Sequence, residues 1–256
     1  MNALSILAAD HPIWFVLAFT LVWFVVVLFV TGMASSKLRK PYGEVTAMVV
    51  RLAVAVGLLL LIGRLGWLQE AGIARLGRWQ AWLLALGGLL YICCAGLYAF
   101  YDKPALDVGS LVRLPAARMI AGTSLIYVLH EELLFRGLVL TVLHRAWGHT
   151  TPGAIASVAL TAALFAVPHL VSLFMGLSRS AAWLLVAQGW VIAVWWGALV
   201  VWGGSLWPAV LLHYVVNVVV PVQGLTVPMV TPDTLAYRRL LWFSIPLGML
   251  GVGLLL

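Results

Sequence analysis

Long apolar runs alternate with short polar stretches along the whole chain. A helix needs about 20 mostly apolar residues to cross a bilayer, and the chain contains about eight runs close to that length. The short segments of alternating polarity that are typical of a transmembrane β-barrel do not occur. The pattern therefore predicts an all-α, polytopic membrane protein with about eight transmembrane helices. The predicted spans are residues 12–33, 45–63, 79–101, 117–145, 151–173, 181–202, 205–221 and 238–256.

The composition supports this class. Hydrophobic residues make up 64% of the chain and charged residues 9%, whereas soluble domains carry about 25% charged residues. The net charge is +7, but no basic run is longer than Lys37-Leu38-Arg39-Lys40, and basic residues at span ends are typical of membrane proteins. We therefore predict a lipid bilayer as the environment and no nucleic-acid partner. Because no soluble domain or linker is visible, residues 1–256 are predicted to form a single integral membrane domain.

The basic residues also predict an orientation. With the N-terminus outside, the inside loops hold nine Lys and Arg residues and the outside loops hold four. This bias favours both termini outside the cell. Arg51 lies about two turns into the second span, from where its long side chain could reach the inner membrane surface.

An unusual cluster of charge lies within the fourth span. The chain has only eight Asp and Glu residues in total, and two of them, Glu131 and Glu132, are adjacent here. Ionisable groups at bilayer depth are costly and usually pair, conduct protons, bind ions or catalyse. On a helix, Glu132 and Arg136 share one face and can form an ion pair. Glu131 points about 100° away, so its carboxylate is the one left free for chemistry.

Two later spans each carry a further polar set. His169 follows Pro168, which removes a helical hydrogen bond and tends to kink the span. His213 and Asn217 are four residues apart and share one helical face. Together with the charged cluster of the fourth span, these make three polar sets in a chain where polar residues are rare. They predict a polar cavity embedded in the membrane, with each set directed inward.

The chemistry that these groups permit is hydrolysis. A carboxylate and an imidazole can together hold and deprotonate a water molecule. We assign this role to Glu131 and His169. A second imidazole and an amide can donate hydrogen bonds to a developing oxyanion. We assign this role to His213 and Asn217. A serine nucleophile has less support because no Gly-x-Ser-x-Gly motif occurs, and the adjacent cysteines have no nearby histidine.

A zinc site is the alternative reading of the same residues. His130-Glu131 begins like a zinc-protease helix, but the position of the second histidine is occupied by Leu134. A divergent zinc site built from Glu131, His169 and His213 stays open, because two histidines and one carboxylate can hold catalytic zinc. We expect no cofactor, with zinc as the less favoured alternative.

Three motifs together resemble a known family. Glu-Glu-x-x-x-Arg at 131–136, Phe-x-x-x-His at 165–169 and His-x-x-x-Asn at 213–217 are similar in order and spacing to the motifs of the CPBP (Abi) family. This family of CAAX proteases and bacteriocin-processing enzymes includes the type II CAAX prenyl endopeptidases. The resemblance covers roughly residues 115–220, which would form a CPBP-like catalytic core.

The resemblance implies an intramembrane peptidase with a cavity open to the membrane and the cytosol. It implies that Glu131 acts on water with His169, that His213 and Asn217 form the oxyanion site, and that the ion pair of the first motif supports them. Members have been described both as metalloproteases and as glutamic proteases, and we expect the metal-free mechanism.

The expected activity is therefore endoproteolysis of membrane-associated substrates. The substrate would be a membrane-embedded or lipidated peptide, either prenylated or leader-bearing, and the location would be a prokaryotic plasma membrane. Two other classes stay open. One is a non-catalytic scaffold or immunity factor, and the other is a proton-coupled carrier that uses Glu131 as a relay.

Overall fold

The computed structural model describes residues 3–37, 42–100, 114–225 and 234–256, and all regular structure in these ranges is helical. Three irregular helical segments join or extend the α-helices: a π-helix at Val25–Val30, a second π-helix at Leu133–Val139 and a 3₁₀-helix at Val167–Leu173. The α-helices are α1 (Ala3–Asp10), α2 (Pro12–Phe24), α3 (Thr31–Lys37), α4 (Tyr42–Leu65), α5 (Trp79–Phe100), α6 (Pro115–Glu132), α7 (Leu140–Trp147), α8 (Thr151–Ala166), α9 (Arg179–Gly203), α10 (Trp207–Gln223) and α11 (Thr234–Leu255).

The prediction of a polytopic helical membrane protein is confirmed. Among the described residues, six helices are long and apolar enough to cross a membrane. The fourth predicted span coincides with the continuous helical stretch from α6 through the second π-helix to α7, which carries the charged cluster. The seventh coincides with α10, an apolar helix of 17 residues. The six spans are Pro12–Met33, Tyr42–Leu65, Trp79–Phe100, Thr151–Leu173, Arg179–Gly203 and Thr234–Leu255.

Local sequence accounts for several helix boundaries. The hydroxyl of Thr150 accepts the backbone N–H of Gly153 at the start of α8, and the hydroxyl of Ser178 accepts a backbone N–H at the start of α9. Such caps satisfy amide groups that have no partner within the helix. Helix α9 ends at Gly203, and Gly204 has a φ of 68°, a left-handed conformation that favours glycine. This turn separates the sixth and seventh predicted spans.

Helix α9 lies at the centre of the bundle, and its Trp195 is completely buried. Two glycines make room for this ring and its backbone. A Cβ atom at Gly88 of α5 would lie 1.8 Å from the indole, and one at Gly251 of α11 would lie 2.7 Å from the Trp195 Cα. Small residues allow membrane helices to approach closely, and at these two positions they let α5 and α11 pack against α9.

Candidate active site

The centre of the site is a buried cluster that joins α6, the second π-helix and α10. Arg136 Nη1 donates to Glu132 Oε1 over 2.8 Å, and the His213 Nδ1 lies 2.8 Å from the same oxygen. All three side chains are almost fully excluded from the surface. The ion pair predicted from the four-residue spacing is therefore formed. Because Arg136 compensates the charge of Glu132, the carboxylate can accept a hydrogen bond from His213 Nδ1 and fix the orientation of the ring.

The π-helix that begins at Leu133 was not predicted. The wider turns of a π-helix interrupt the regular α-helical register and occur frequently at functional sites. Here the π-helix runs from Leu133 to Val139 and contains Arg136. The irregular segment therefore begins directly after the two glutamates and carries the arginine that pairs with the second of them.

Glu131 lies on the other side of the His213 ring. Its Oε2 is 3.6 Å from His213 Nε2, and 28% of its side chain is exposed. Its Oε1 is 4.0 Å from Nε2 of the buried His130, whose Nδ1 lies 3.1 Å from the Ile126 carbonyl oxygen. The prediction that the two adjacent glutamates point in different directions thus agrees with the structure: Glu132 is enclosed, whereas Glu131 is accessible and lies beside the second nitrogen of His213.

Two aromatic side chains hold the imidazole in place, and their role was not predicted. The Trp196 ring stacks on His213 with centroids 4.7 Å apart, and the edge of Phe165 packs against the same ring at 5.7 Å. The Arg136 guanidinium lies 4.3 Å from the Phe165 ring centre and 5.4 Å from that of Trp196. Trp196 could not be recognised from the sequence, because an aromatic residue in an apolar span equally well packs in lipid or in the core.

His169 lies in the 3₁₀-helix that follows α8, directly after Pro168. Its Nδ1 is 3.2 Å from the Ala166 carbonyl oxygen, and its ring lies 5.5 Å from that of Phe165. The predicted irregularity at Pro168 is therefore present as a change from α-helix to 3₁₀-helix. Phe165 contacts both His169 and His213, so the two imidazoles flank one aromatic ring.

Three of the predicted site residues line one cavity of about 570 Å³. His169, His213 and Asn217 line it, and the backbone oxygen of Asn217 accepts a hydrogen bond of 3.2 Å from the Ser124 hydroxyl. Most of the remaining wall is apolar or aromatic. Glu131 is not among the lining residues, and the structure brings its carboxylate against His213, which lines the cavity, rather than against His169. Further wall residues include Ile92, Leu185, Ile192, Val216, Val220 and Leu240.

Arg51 contributes to the site in a way that the sequence did not suggest. Its guanidinium lies 4.3 Å from the ring centre of Tyr127, which lines the cavity, and its charge interacts with Glu131. The side chain was expected to extend to the inner membrane surface. The guanidinium instead lies over the Tyr127 ring, whose face stabilises the positive charge.

Over the part of the chain that the structure describes, no three His, Cys, Asp or Glu side chains come together as a group that could hold a metal ion. His213 uses Nδ1 toward Glu132, which leaves one nitrogen for any other partner.

Part of the chain is similar to a known protein family. Residues 113–219 match the family model described as type II CAAX prenyl endopeptidase Rce1-like. This range contains all three sequence motifs, so the resemblance to CPBP-type proteases is confirmed over these residues. No curated protein and no solved structure matches the chain.

Proposed function

From the family match over residues 113–219, we propose that this chain is an intramembrane endopeptidase that hydrolyses membrane-embedded or lipidated peptides in a plasma membrane. The observation that carries the proposal is the arrangement around His213. One of its nitrogens contacts a buried, charge-compensated carboxylate, and the other contacts an accessible carboxylate next to a cavity. A scaffold has no need for such an arrangement at bilayer depth, where each charge is costly.

In the proposed reaction, Glu131 and His169 hold a water molecule at the cavity. As the water oxygen attacks the scissile carbonyl carbon, Glu131 accepts the water proton. The tetrahedral oxyanion then collapses, the C–N bond breaks, and the proton passes from Glu131 to the leaving amine. The reaction consumes one water molecule, returns Glu131 to its starting state and needs no further reactant.

The oxyanion would be stabilised by His213 and Asn217. His213 Nδ1 contacts the buried Glu132 carboxylate, which fixes the orientation of the ring. Nε2, which faces Glu131, is the nitrogen left to interact with the oxyanion. Arg136 in turn compensates the charge of Glu132.

The wall of the cavity supports an apolar substrate. Ligand sites are typically concave and largely apolar, with a few polar groups that fix orientation. The aliphatic residues that line this cavity suit the acyl or prenyl chain of a lipidated peptide, or the side chains of an apolar one. Ser124, Tyr127 and Gln188 supply polar atoms along the same wall.

The direct test offers the purified protein pairs of membrane peptides with identical sequences, one prenylated and one not. Cleavage is read by mass spectrometry, which identifies the cut bond. We expect at least one of the two kinds of peptide, prenylated or unprenylated, to be cleaved at one defined peptide bond. A scaffold or a carrier would cleave neither class, and that outcome across a broad peptide panel would contradict the proposal.

Replacing Asn217 by Ala is expected to impair cleavage without abolishing it. Loss of one oxyanion donor lowers turnover by about 10²–10³-fold in other hydrolases. The change should act on kcat rather than on KM, because the oxyanion forms only in the transition state. Steady-state kinetics on one cleaved peptide measures both constants. A rise in KM alone would assign Asn217 to substrate binding instead.

Metal removal is expected to leave cleavage unchanged. In the proposed mechanism the water is activated by a carboxylate and an imidazole, so that no metal ion takes part. The measurement is turnover before and after dialysis against a chelator, together with the metal content of the purified protein. A stoichiometric metal whose removal stops turnover and whose return restores it would replace this mechanism by the zinc alternative at Glu131, His169 and His213.

A further inference from the structure

A second cleft, which we call the vestibule, reaches the buried ion pair from another direction. It has a volume of about 310 Å³. Its wall is formed by α7, by the end of α9 and by the segment between α4 and α5. The cavity lined by His169, His213 and Asn217, which we call the catalytic cavity after the proposed reaction, is mostly apolar, whereas the vestibule is rich in charge. The polar and charged residues that line it are Glu70, Arg75, Arg136, Thr141, His144 and Arg145.

The vestibule and the catalytic cavity lie toward opposite ends of the helix bundle. The catalytic cavity is lined by Phe100 at the end of α5 and by Ile120 near the start of α6. The vestibule is lined by Arg75, just before the start of α5, and by Arg145 near the end of α7. The two cavities therefore reach the site from opposite ends of α5 and of the continuous stretch from α6 to α7.

Arg136 forms the inner end of the vestibule and is only 1% exposed. Its Nη1 is bound to Glu132, but its Nε and Nη2 have no hydrogen-bond partner in the described ranges of the chain. Buried polar groups in proteins are nearly always satisfied by protein or by ordered water. These N–H groups therefore lie at the inner end of the vestibule without a hydrogen-bond acceptor from the described residues, and water is the ligand that would satisfy them.

The outer part of the vestibule is suited to water. Arg145 and Glu70 form an exposed ion pair there, and Arg75 Nε donates to the Gln69 carbonyl oxygen over 2.8 Å. The volume would hold about ten water molecules at roughly 30 Å³ each. Charged residues within membrane spans commonly face a water-filled cavity, which lowers the cost of keeping them charged.

We propose that the vestibule is a water-filled access route that hydrates the Glu132–Arg136 ion pair from the membrane face opposite the catalytic cavity. Its ligand is water, with small hydrophilic solutes able to follow. Phe165 and Trp196, over which the Arg136 guanidinium lies, separate it from the catalytic cavity. This inference does not depend on the peptidase activity, because it concerns the solvation of the charged pair.

Cysteine labelling from each side of the membrane tests the proposal. The native Cys93 and Cys94 are first replaced by Ala, which removes both thiols of the chain. Thr141→Cys then introduces a near-isosteric thiol in the vestibule, and Thr123→Cys introduces one in the catalytic cavity. A charged methanethiosulfonate reagent that cannot cross membranes is added to right-side-out and to inside-out vesicles. It reacts with thiolates, which form in water and not in an apolar core.

We expect the two thiols to react from opposite sides. Leu143→Cys is the matched control, because Leu143 lies on the same helix and is completely buried. The Thr141→Cys thiol should react at least about tenfold faster than the Leu143→Cys thiol. Equal rates for these two variants, or labelling of Thr141→Cys from the same side as Thr123→Cys, would overturn the proposal.

A second variant tests the route itself. Val201 lines the vestibule and is half-buried, so Val201→Trp should fill part of it. Labelling of Thr141→Cys should then slow by about tenfold, whereas labelling of Thr123→Cys should stay unchanged and show that the bundle is folded. Unchanged labelling of Thr141→Cys in that folded variant would mean that the reagent arrives by another route, and the vestibule would not be the entrance.

Discussion

Peptide cleavage is expected to fall by about 10²–10⁴-fold when Glu131 is replaced by Gln, which is the range that a general base contributes. The amide keeps the shape of the side chain and its position beside His213, but it cannot accept the proton of the attacking water. Turnover of a peptide cleaved by the unmodified protein, followed by mass spectrometry, measures the loss. Peptide binding, measured by photocrosslinking, should persist because the cavity wall is unchanged.

Controls separate this result from the other two functional classes. Asp10→Asn removes an exposed carboxylate at the end of α1 and should leave turnover within about twofold, as is usual for surface substitutions. A scaffold would retain its full activity with Gln at position 131. A carrier would lose flux while cleaving nothing before or after the change. Full cleavage by Glu131→Gln would remove Glu131 from the catalytic role and require a different base.

The second large effect concerns stability. Glu132→Ala should lower the free energy of unfolding by about 3–5 kcal/mol, because removing one partner of a buried pair leaves an uncompensated charge. In this protein the loss affects two groups, since both Arg136 and His213 contact the same Glu132 oxygen. Thermal unfolding in detergent, followed by tryptophan fluorescence, measures the change. Turnover should also collapse, because His213 loses the group that orients it.

Two comparisons make the stability result specific. Exchanging both partners for neutral residues, as Glu132→Gln with Arg136→Met, should restore most of the stability and none of the turnover, since no charge is then left unpaired. The Glu70–Arg145 pair has side chains that are 46% and 47% exposed, so Glu70→Ala should cost no more than about 1 kcal/mol. If Glu132→Ala cost as little as Glu70→Ala, the buried pair would not support the fold.

Much of the architecture was predictable from local pattern. The predicted spans coincide with helices because hydropathy acts over one segment at a time, and a run of about 20 apolar residues has few other stable arrangements in lipid. The Glu132–Arg136 pair was predictable for the same reason, because a four-residue spacing brings side chains together within one helix. The change of helix type at Val167 followed from a single residue, Pro168.

The contacts between helices could not be obtained in this way. His213 meets Glu132 across 81 residues of sequence, and Trp196 meets His213 from a third helix. Such contacts depend on how each helix is rotated about its axis, which is set by packing along its whole length. In an apolar span nearly every face is hydrophobic, so the pattern carries little information on that rotation.

The sequence by itself therefore determined the class of protein, the positions of the spans and the residue types from which a hydrolytic site could be built, since all of these depend on neighbours along the chain. Only the tertiary structure decided that His213 lies between two carboxylates, that Arg51 contacts the wall of the catalytic cavity, and that a second cleft reaches Arg136. These features arise from the close approach of separate helices, where glycines such as Gly88 and Gly251 set the distance and buried charges select the partners.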